Sequence, residues 1–272
     1  MHTFRRATVL KVPLLAIVIA VLISGGCVGH SQQLRDVQDQ FNQANQIHSQ
    51  STSANTLTAE QEKAFRQIAQ KIEKEQLKSV ERDDLKVAAY AIDAFSKWRL
   101  KEFAAAKSTA EKGLDIYERA GLTSNQRDLG MLLITGGLAD YSQTFLDYQK
   151  WLSDNPHDFL PKNDAMAFSN RIAAAMQKID AVNRPDKGLQ QDVPIVIYAN
   201  QQQLLAITSI IDIWGQVRDS ADRKGPVCQW TTKAKTLVQE RFPPTDDYPG
   251  KALTDDLATK IAAVGMSNQC GG

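Results

Sequence analysis

Apolar residues recur every three or four positions along most of the chain, a spacing that places them on one face of a helix. The pattern begins at Leu34, Val37, Phe41 and Ala44, with Gln- and Asn-rich positions between them. The same spacing continues in six further segments: Phe65 to Ile72, Leu85 to Phe95, Phe103 to Tyr117, Leu129 to Tyr148, Phe168 to Val182 and Leu204 to Val217. These segments predict a succession of amphipathic helices.

Local signals predict where several of these helices begin and end. Thr58 and Gln61 have the capping-box spacing, in which side chains at the two positions bond each other's exposed backbone amides. Asp83 or Asp84 is expected to cap the third helix, and Gly121 is expected to end the fourth. These signals divide the first half of the chain into separate helices.

The second half is also predicted to be helical. A long helix is expected from about Pro194 to Lys224, ended by Gly225-Pro226. Its opening, Ile195 to Tyr198, has strand-like propensity, but no second strand candidate is present to pair with it. A short final helix is expected around Thr254 to Val264. The predicted fold class is an all-α array of antiparallel helical hairpins.

Two features interrupt this array. Gly130, Gly136 and Gly137 lie within one helical segment, which favours a kink or a close helix crossing there, with a ligand-lined notch as the alternative. Residues 154–163 contain two prolines and are predicted to be a linker. The linker would separate an N-terminal region, 27–153, from a C-terminal region, 164–272.

The N-terminus has the pattern of a secretion signal. Basic Arg5, Arg6 and Lys11 precede an uncharged apolar run from Val12 to Ile23, and small residues follow it. About a dozen apolar residues are present, whereas roughly 20 are needed to span a membrane comfortably. The segment is therefore predicted to be removed rather than retained.

The junction Ser24-Gly25-Gly26-Cys27 resembles the lipobox of bacterial lipoproteins. The resemblance implies that residues 1–26 are cleaved and that Cys27 carries the lipid, which anchors the chain to membrane lipid. Ser24 departs from the family, which most often has Leu at that position. Family sorting rules favour the outer membrane, with the protein facing the periplasm, because Val28 rather than Asp follows the cysteine. The alternatives are an ordinary signal peptide that leaves Cys27 unmodified and an uncleaved anchor.

A second resemblance involves the segment from about Leu85 to Gly121. Only a short turn separates its two helical stripes, so they are predicted to fold back as an antiparallel hairpin. This hairpin resembles a tetratricopeptide-type repeat, because large and small residues fall at the spacings of that motif: Tyr90, Ala94, Ala106 and Gly113. The resemblance implies a helical-repeat-like scaffold.

The hairpin departs from the repeat at four positions. Asp93 and Lys97 stand where the motif prefers Leu and an aromatic residue, Ala110 stands where it prefers Phe, and Glu118 replaces its final Pro. No second copy recurs at a fixed period. A generic helical hairpin is therefore the alternative.

Charge excludes one class of partner. Residues 1–26 contain three basic and no acidic residues, so the mature chain has 32 minus 3, or 29, Lys and Arg against 31 Asp and Glu. Its net charge is about minus two, without the basic excess that nucleic-acid binding requires. We therefore expect no nucleic-acid partner.

The remaining cysteines are predicted to pair. With Cys27 assigned to lipid, Cys228 and Cys270 are left in a chain exported to an oxidising compartment, which indicates one disulfide. No His lies near either of them in the sequence, so a metal pair is disfavoured. The bond would hold the C-terminal tail.

No sequence motif indicates catalysis or a bound cofactor. His30, His48 and His157 are scattered, and solvated or partly buried structural roles are expected for His48 and His157. Asp246-Asp247, beside Tyr248, is a weak cation candidate. We expect a protein that is not an enzyme, and no metal or cofactor.

The predicted function is that of an envelope scaffold or adaptor that binds another envelope protein. Trp98 and Trp151 lie near predicted helix ends and are candidate anchors for this partner, with core packing as the alternative for each. A helical small-ligand receptor or accessory transport subunit is the alternative function, in which the Gly130 to Gly137 segment would line the ligand pocket.

Overall fold

The computed structural model describes residues 32–49, 57–187, 189, 192–242, 248 and 250–270. The predicted signal peptide, the lipobox with Cys27, His30 and Asp246-Asp247 lie outside these residues. The backbone at His48 is described, but its side chain is not.

Within those residues every regular element is a helix, which confirms the predicted all-α fold. The nine long α-helices are α1 (Gln32–Ser49), α2 (Ala59–Lys71), α3 (Asp83–Arg99), α4 (Phe103–Arg119), α5 (Gln126–Asp154), α6 (Lys162–Asp180), α7 (Val193–Gly215), α8 (Ser220–Arg241) and α9 (Lys251–Ser267). A π-helical turn, Ile72–Gln76, and a short α turn, Leu77–Ser79, extend α2. Short 3₁₀ turns at Ala181–Asn183 and Pro185–Lys187 follow α6.

Each long helix packs against the next one along the chain, as expected for consecutive hairpins. α3 also packs against α5, and α5 against α7, so that alternate helices form the inner layers of the array. The capping box before α2 is confirmed, because Thr58 accepts from the amide of Gln61 and Gln61 accepts from the amide of Thr58. The expected Asp cap of α3 is wrong: Arg82 is the N-cap residue and makes no side-chain cap bond.

The predicted long helix 194–224 is wrong, because it is two helices. α7 ends at Gly215, and α8 begins at Ser220 after Asp219 caps it by accepting from the amide of Ala221, at 2.8 Å. Pro226 lies inside α8 rather than ending a helix. A proline in the second helical turn removes one intrahelical hydrogen bond but does not prevent the turn before it from forming.

Gly130 and Gly137 of α5 lie at close helix crossings, one of the two predicted outcomes. A Cβ at Gly137 would be 2.5 Å from Cγ1 of Ile179 and 2.9 Å from the carbonyl oxygen of Ala175, both on α6. A Cβ at Gly130 would be 2.8 Å from a methyl group of Ile195 on α7. Because neighbouring helices fill this space, the glycines do not line a ligand notch.

The predicted linker is a short loop between α5 and α6, which pack against each other. The amide of Leu160 donates to the carbonyl of Gln216 at 3.0 Å, and the Leu160 side chain is buried. Buried apolar residues from both sides of this loop form one hydrophobic cluster. The loop is thus held against the end of α7.

The predicted disulfide is confirmed. Cys228 in α8 is bonded to Cys270, just after α9, and the two positions are 42 residues apart. Gly265 of α9 packs on Thr231 of α8, where a Cβ would approach the Thr231 methyl group to 2.8 Å. The bond and this close contact hold α9 against α8.

Candidate functional site

α7 is the central helix of the C-terminal half. Every side chain from Ile197 to Ile211 is buried, because α5, α6, α8 and α9 all pack against α7. A helix surrounded in this way is expected to be apolar on all sides. It nevertheless carries four consecutive buried amide side chains, Asn200, Gln201, Gln202 and Gln203.

Most of these amides are held by hydrogen bonds to neighbouring helices. Asn200 accepts from Asn183 at 3.0 Å and donates to the carbonyl of Arg241 at 3.1 Å. Gln203 donates to Oδ1 of Asp180 at 3.2 Å. Buried amides are costly unless they are bonded in this way, so the network fixes how α6, α7 and α8 are arranged.

A groove of about 300 Å³ opens above this network, between α6, α7 and α8. We call it the α6–α8 groove. Its lining combines apolar, amide and charged side chains: Ala173, Met176, Gln177, Asp180, Gln203, Ile207, Trp230, Lys233, Thr236, Leu237, Glu240 and Arg241. Trp230 is half-buried, and the Lys233 ammonium lies 4.2 Å from its ring centroid.

The groove is elongated along α8. Trp230 and Arg241 are 11 positions apart in this helix, which corresponds to about 16 Å at the helical rise. That length matches about five residues of extended chain. Gln203 of α7 and Asp180 of α6 offer polar contacts, whereas Trp230 and Leu237 of α8 offer apolar contacts.

Sequence reasoning did not identify this groove. The periodic positions Leu204, Ile207 and Ile211 were assigned to the inner face of this helix, and no prediction was made for Asn200 to Gln203. The available signal was the apolar character of the whole helix around them. A helix apolar on all sides is surrounded by protein, so its polar residues are buried as well.

The two tryptophans singled out by sequence lie elsewhere. Trp98 is 5% exposed and donates its indole N–H to the Ser142 hydroxyl at 3.0 Å, so it packs in the core and is not a surface anchor. Trp151 is half-buried and packs against the core near the end of α5. Neither residue lines the α6–α8 groove.

Two departures from the repeat motif form a buried ion pair. Lys97 donates to Asp93 at 2.8 Å and to Thr109 at 3.0 Å, and it also contacts Glu73 in the π turn. Burial raises the pKa of Asp93 to about 6, despite the opposing effect of Lys97. The cluster joins the end of α2 to α3 and α4, which gives it a structural role in the hairpin.

In the described part of the chain, the other candidate residues do not come together as a catalytic or metal site. His157 is exposed in the loop before α6. Among the described residues, His, Cys, Asp and Glu do not form a group of three or more suited to a metal ion. A search of the same residues finds no helix with the length and apolar character needed to cross a membrane.

Comparison with known proteins identified no relatives: the chain matches no family model, no curated protein and no solved structure. The α6–α8 groove is therefore judged on its own residues. Its elongated form and its mixture of an indole, amides and charges suit a polypeptide segment better than a compact ligand.

Proposed function

We propose that this protein is a lipid-anchored helical scaffold of a bacterial envelope that binds a polypeptide segment of another envelope protein. The α6–α8 groove is the observation that carries the proposal. Its partner would extend along α8, with an apolar side chain against Trp230 and backbone groups near Gln203 and Asp180.

The composition of the groove supports a protein partner. Indole and aliphatic surface provides most of the binding energy at protein interfaces, while a few polar groups fix the register of the bound segment. Trp230 and Leu237 supply the apolar surface, and Gln203 and Asp180 supply the polar groups. Asp180 is already fixed by hydrogen bonds from Asn183 and Gln203, so it is preorganised.

The sequence supports the anchored location. The lipobox resemblance assigns acylation to Cys27, and each buried methylene of an acyl chain contributes about 0.8 kcal/mol to membrane binding. Two or more chains on Cys27 would hold the protein on one leaflet. α1 begins at Gln32, so only a short tether separates the anchor from the helical array.

Site-specific photocrosslinking in living cells tests the proposal. A benzophenone amino acid at Thr236 lies on the groove, and the same probe at Gln239 gives a matched control, because Gln239 is exposed on α8 but does not line the groove. We expect one defined protein adduct from Thr236 and none from Gln239. The Trp230→Ala substitution is expected to weaken the Thr236 adduct.

Two results would contradict the proposal. Identical adduct patterns from both positions would mean that the groove is not the binding surface. No protein adduct, together with a small molecule that copurifies and protects Thr236, would instead favour the small-ligand alternative.

A further inference from the structure

A second groove lies between the first two helices of the array. We call it the α1–α2 groove, and its volume is about 200 Å³. Its described lining consists of four glutamines, one glutamate and three apolar residues: Gln40, Gln43, Ala44, Glu60, Gln61, Ala64, Gln67 and Ile68. Glu60 and Ile68 are 8 positions apart in α2, so the groove extends about 12 Å along this helix.

Gln61 is a buried lining residue whose hydrogen bonding is incomplete. It is 2% exposed, and its Oε1 accepts from the backbone amide of Thr58 at 3.0 Å in the capping box. Because a backbone N–H can only donate, this bond fixes which end of the Gln61 amide is the oxygen. Among the described residues, the Nε2 atom of Gln61 has no hydrogen-bond partner. A buried donor of this kind is costly until an acceptor reaches it.

Exposed polar side chains lie around Gln61 in the same groove. Gln40 and Gln43 belong to α1, Glu60 and Gln67 belong to α2, and all four are exposed. Each amide offers N–H donors and a carbonyl acceptor, whereas the carboxylate only accepts. The three apolar lining residues are buried or half-buried. The groove therefore offers many donors and acceptors around a small apolar surface.

This composition selects a class of ligand. None of the described lining residues is basic, and Glu60 would repel an anion. One carboxylate supplies too few ligands for a metal ion. A wholly apolar ligand would leave the amides without partners. A ligand with several hydroxyl groups fits, because each hydroxyl both donates and accepts, while its C–H groups pack on the apolar residues.

We propose that the α1–α2 groove binds a neutral saccharide. An oxygen of the sugar accepts from Nε2 of Gln61, and the other hydroxyls bond the exposed amides and donate to Glu60. The volume equals that of about seven water molecules, which suits a mono- or disaccharide unit. Either a free sugar or one unit of a polymeric glycan presents this chemistry. The site shares no lining residue with the α6–α8 groove.

Saturation-transfer difference NMR tests the site. The full chain is kept in a polyoxyethylene detergent, which contains no sugar, and is titrated with glucose, maltotriose or triacetylchitotriose. The uncharged peptide acetyl-trialanine-amide is the comparison ligand. We expect saturable binding of at least one saccharide and none of the peptide. Tighter binding of a trisaccharide than of glucose would identify a polymeric glycan as the source, and equal affinities would identify a free sugar.

Three variants assign the binding to residues. Gln61→Glu keeps the acceptor of the capping box, where Glu serves as well as Gln, but replaces the unpartnered donor by an oxygen. We expect its Kd to rise by about tenfold or more. Gln40→Ala and Gln67→Ala each remove one exposed amide and should raise the Kd by about threefold to tenfold. Gln70→Ala is the matched control, because Gln70 is exposed on α2 but does not line the groove.

Thermal unfolding without saccharide checks that each variant folds. Gln40→Ala and Gln67→Ala change exposed positions, so they decide the test even if Gln61→Glu does not fold. Three results would overturn the proposal: no saturable saccharide binding, binding of the alanine peptide in place of the saccharides, or the same loss of affinity in Gln70→Ala as in the groove variants. None of these results bears on the Thr236 photocrosslink, so this proposal and the proposed function fail separately.

Discussion

The crossing of α5 and α6 allows a sharp test of the packing, because two adjacent glycines predict opposite outcomes. A Cβ at Gly137 would be 2.5 Å from Cγ1 of Ile179 and 2.9 and 3.1 Å from backbone atoms of α6. A Cβ at Gly136 would meet only the Cβ of Ala110, at 3.8 Å, which is an ordinary contact. Alanine therefore fits at position 137 only if α6 moves away from α5.

The magnitudes follow from these distances. Overpacking a close contact costs about 1 to 3 kcal/mol, and the upper part of this range applies to Gly137→Ala because backbone atoms cannot rotate away. Replacing an interior helical Gly by Ala returns about 1 kcal/mol of helix propensity. We expect Gly137→Ala to lower the free energy of unfolding by about 1 to 2 kcal/mol, and Gly136→Ala to raise it by up to about 1 kcal/mol.

Urea unfolding followed by circular dichroism measures both changes against the wild-type chain, with the disulfide intact in each variant. The two substitutions have the same chemistry in the same helix, so propensity alone predicts equal stabilisation. If Gly137→Ala were as stable as Gly136→Ala, α5 and α6 would not cross as closely as described, and the packing argument would be refuted.

Three further outcomes are expected. The Cys228–Cys270 bond joins positions 42 residues apart. On the chain-entropy model, its reduction should lower the free energy of unfolding by up to about 4 kcal/mol. The loss should appear as a lower thermal midpoint with reductant than without it. Burial raises the pKa of Asp212 from 3.8 to about 6, although the Tyr148 hydroxyl donates to it. The folded state therefore binds the Asp212 proton more tightly than the unfolded state does. The protonated carboxyl stabilises the folded state, and this contribution is lost as the pH rises from about 4 to about 6. Asp212→Asn should flatten that part of the pH–stability profile. Cys27→Ala should release the protein from salt-washed membranes, measured by fractionation.

Each of these outcomes can be contradicted. Two reactive thiols in the exported protein would rule out the Cys228–Cys270 bond. A pH–stability profile of Asp212→Asn that parallels the wild-type profile would show that the pKa of this carboxyl is not raised to about 6 in the folded state. Retention of Cys27→Ala on membranes after the salt wash would remove the main support for the lipid anchor.

Sequence predicted those features that depend on neighbours in the chain. Helical spacing identified most helices, and the Thr58–Gln61 capping box was predicted because both partners belong to the same helical turn. The boundary near Asp219 was missed because Gly225-Pro226 was taken as the end of the helix and Asp219 was not considered as a cap. A proline in the second turn of a helix is compatible with a cap seven residues earlier.

The Cys228–Cys270 bond was predicted from the cysteine count, but other features that depend on distant contacts were not predicted. Asp93 and Lys97 were recognised only as departures from a repeat motif, and two further partners of Lys97, Glu73 and Thr109, lie on other elements of the chain. Asn200 is buried because Asn183 and the backbone of Arg241 surround it. The candidate groove forms from three helices, so no local pattern of residues could locate it.

The most direct test of the account compares the Thr236 photocrosslink in two forms of the protein in living cells. One form keeps Cys27, and the other is secreted as a soluble chain that lacks this cysteine. We predict a defined envelope-protein adduct from the anchored form and a loss of most of that adduct from the soluble form, because the anchor holds the groove near its partner. Equal adducts from both forms, or none from either, would contradict a scaffold that acts through its location.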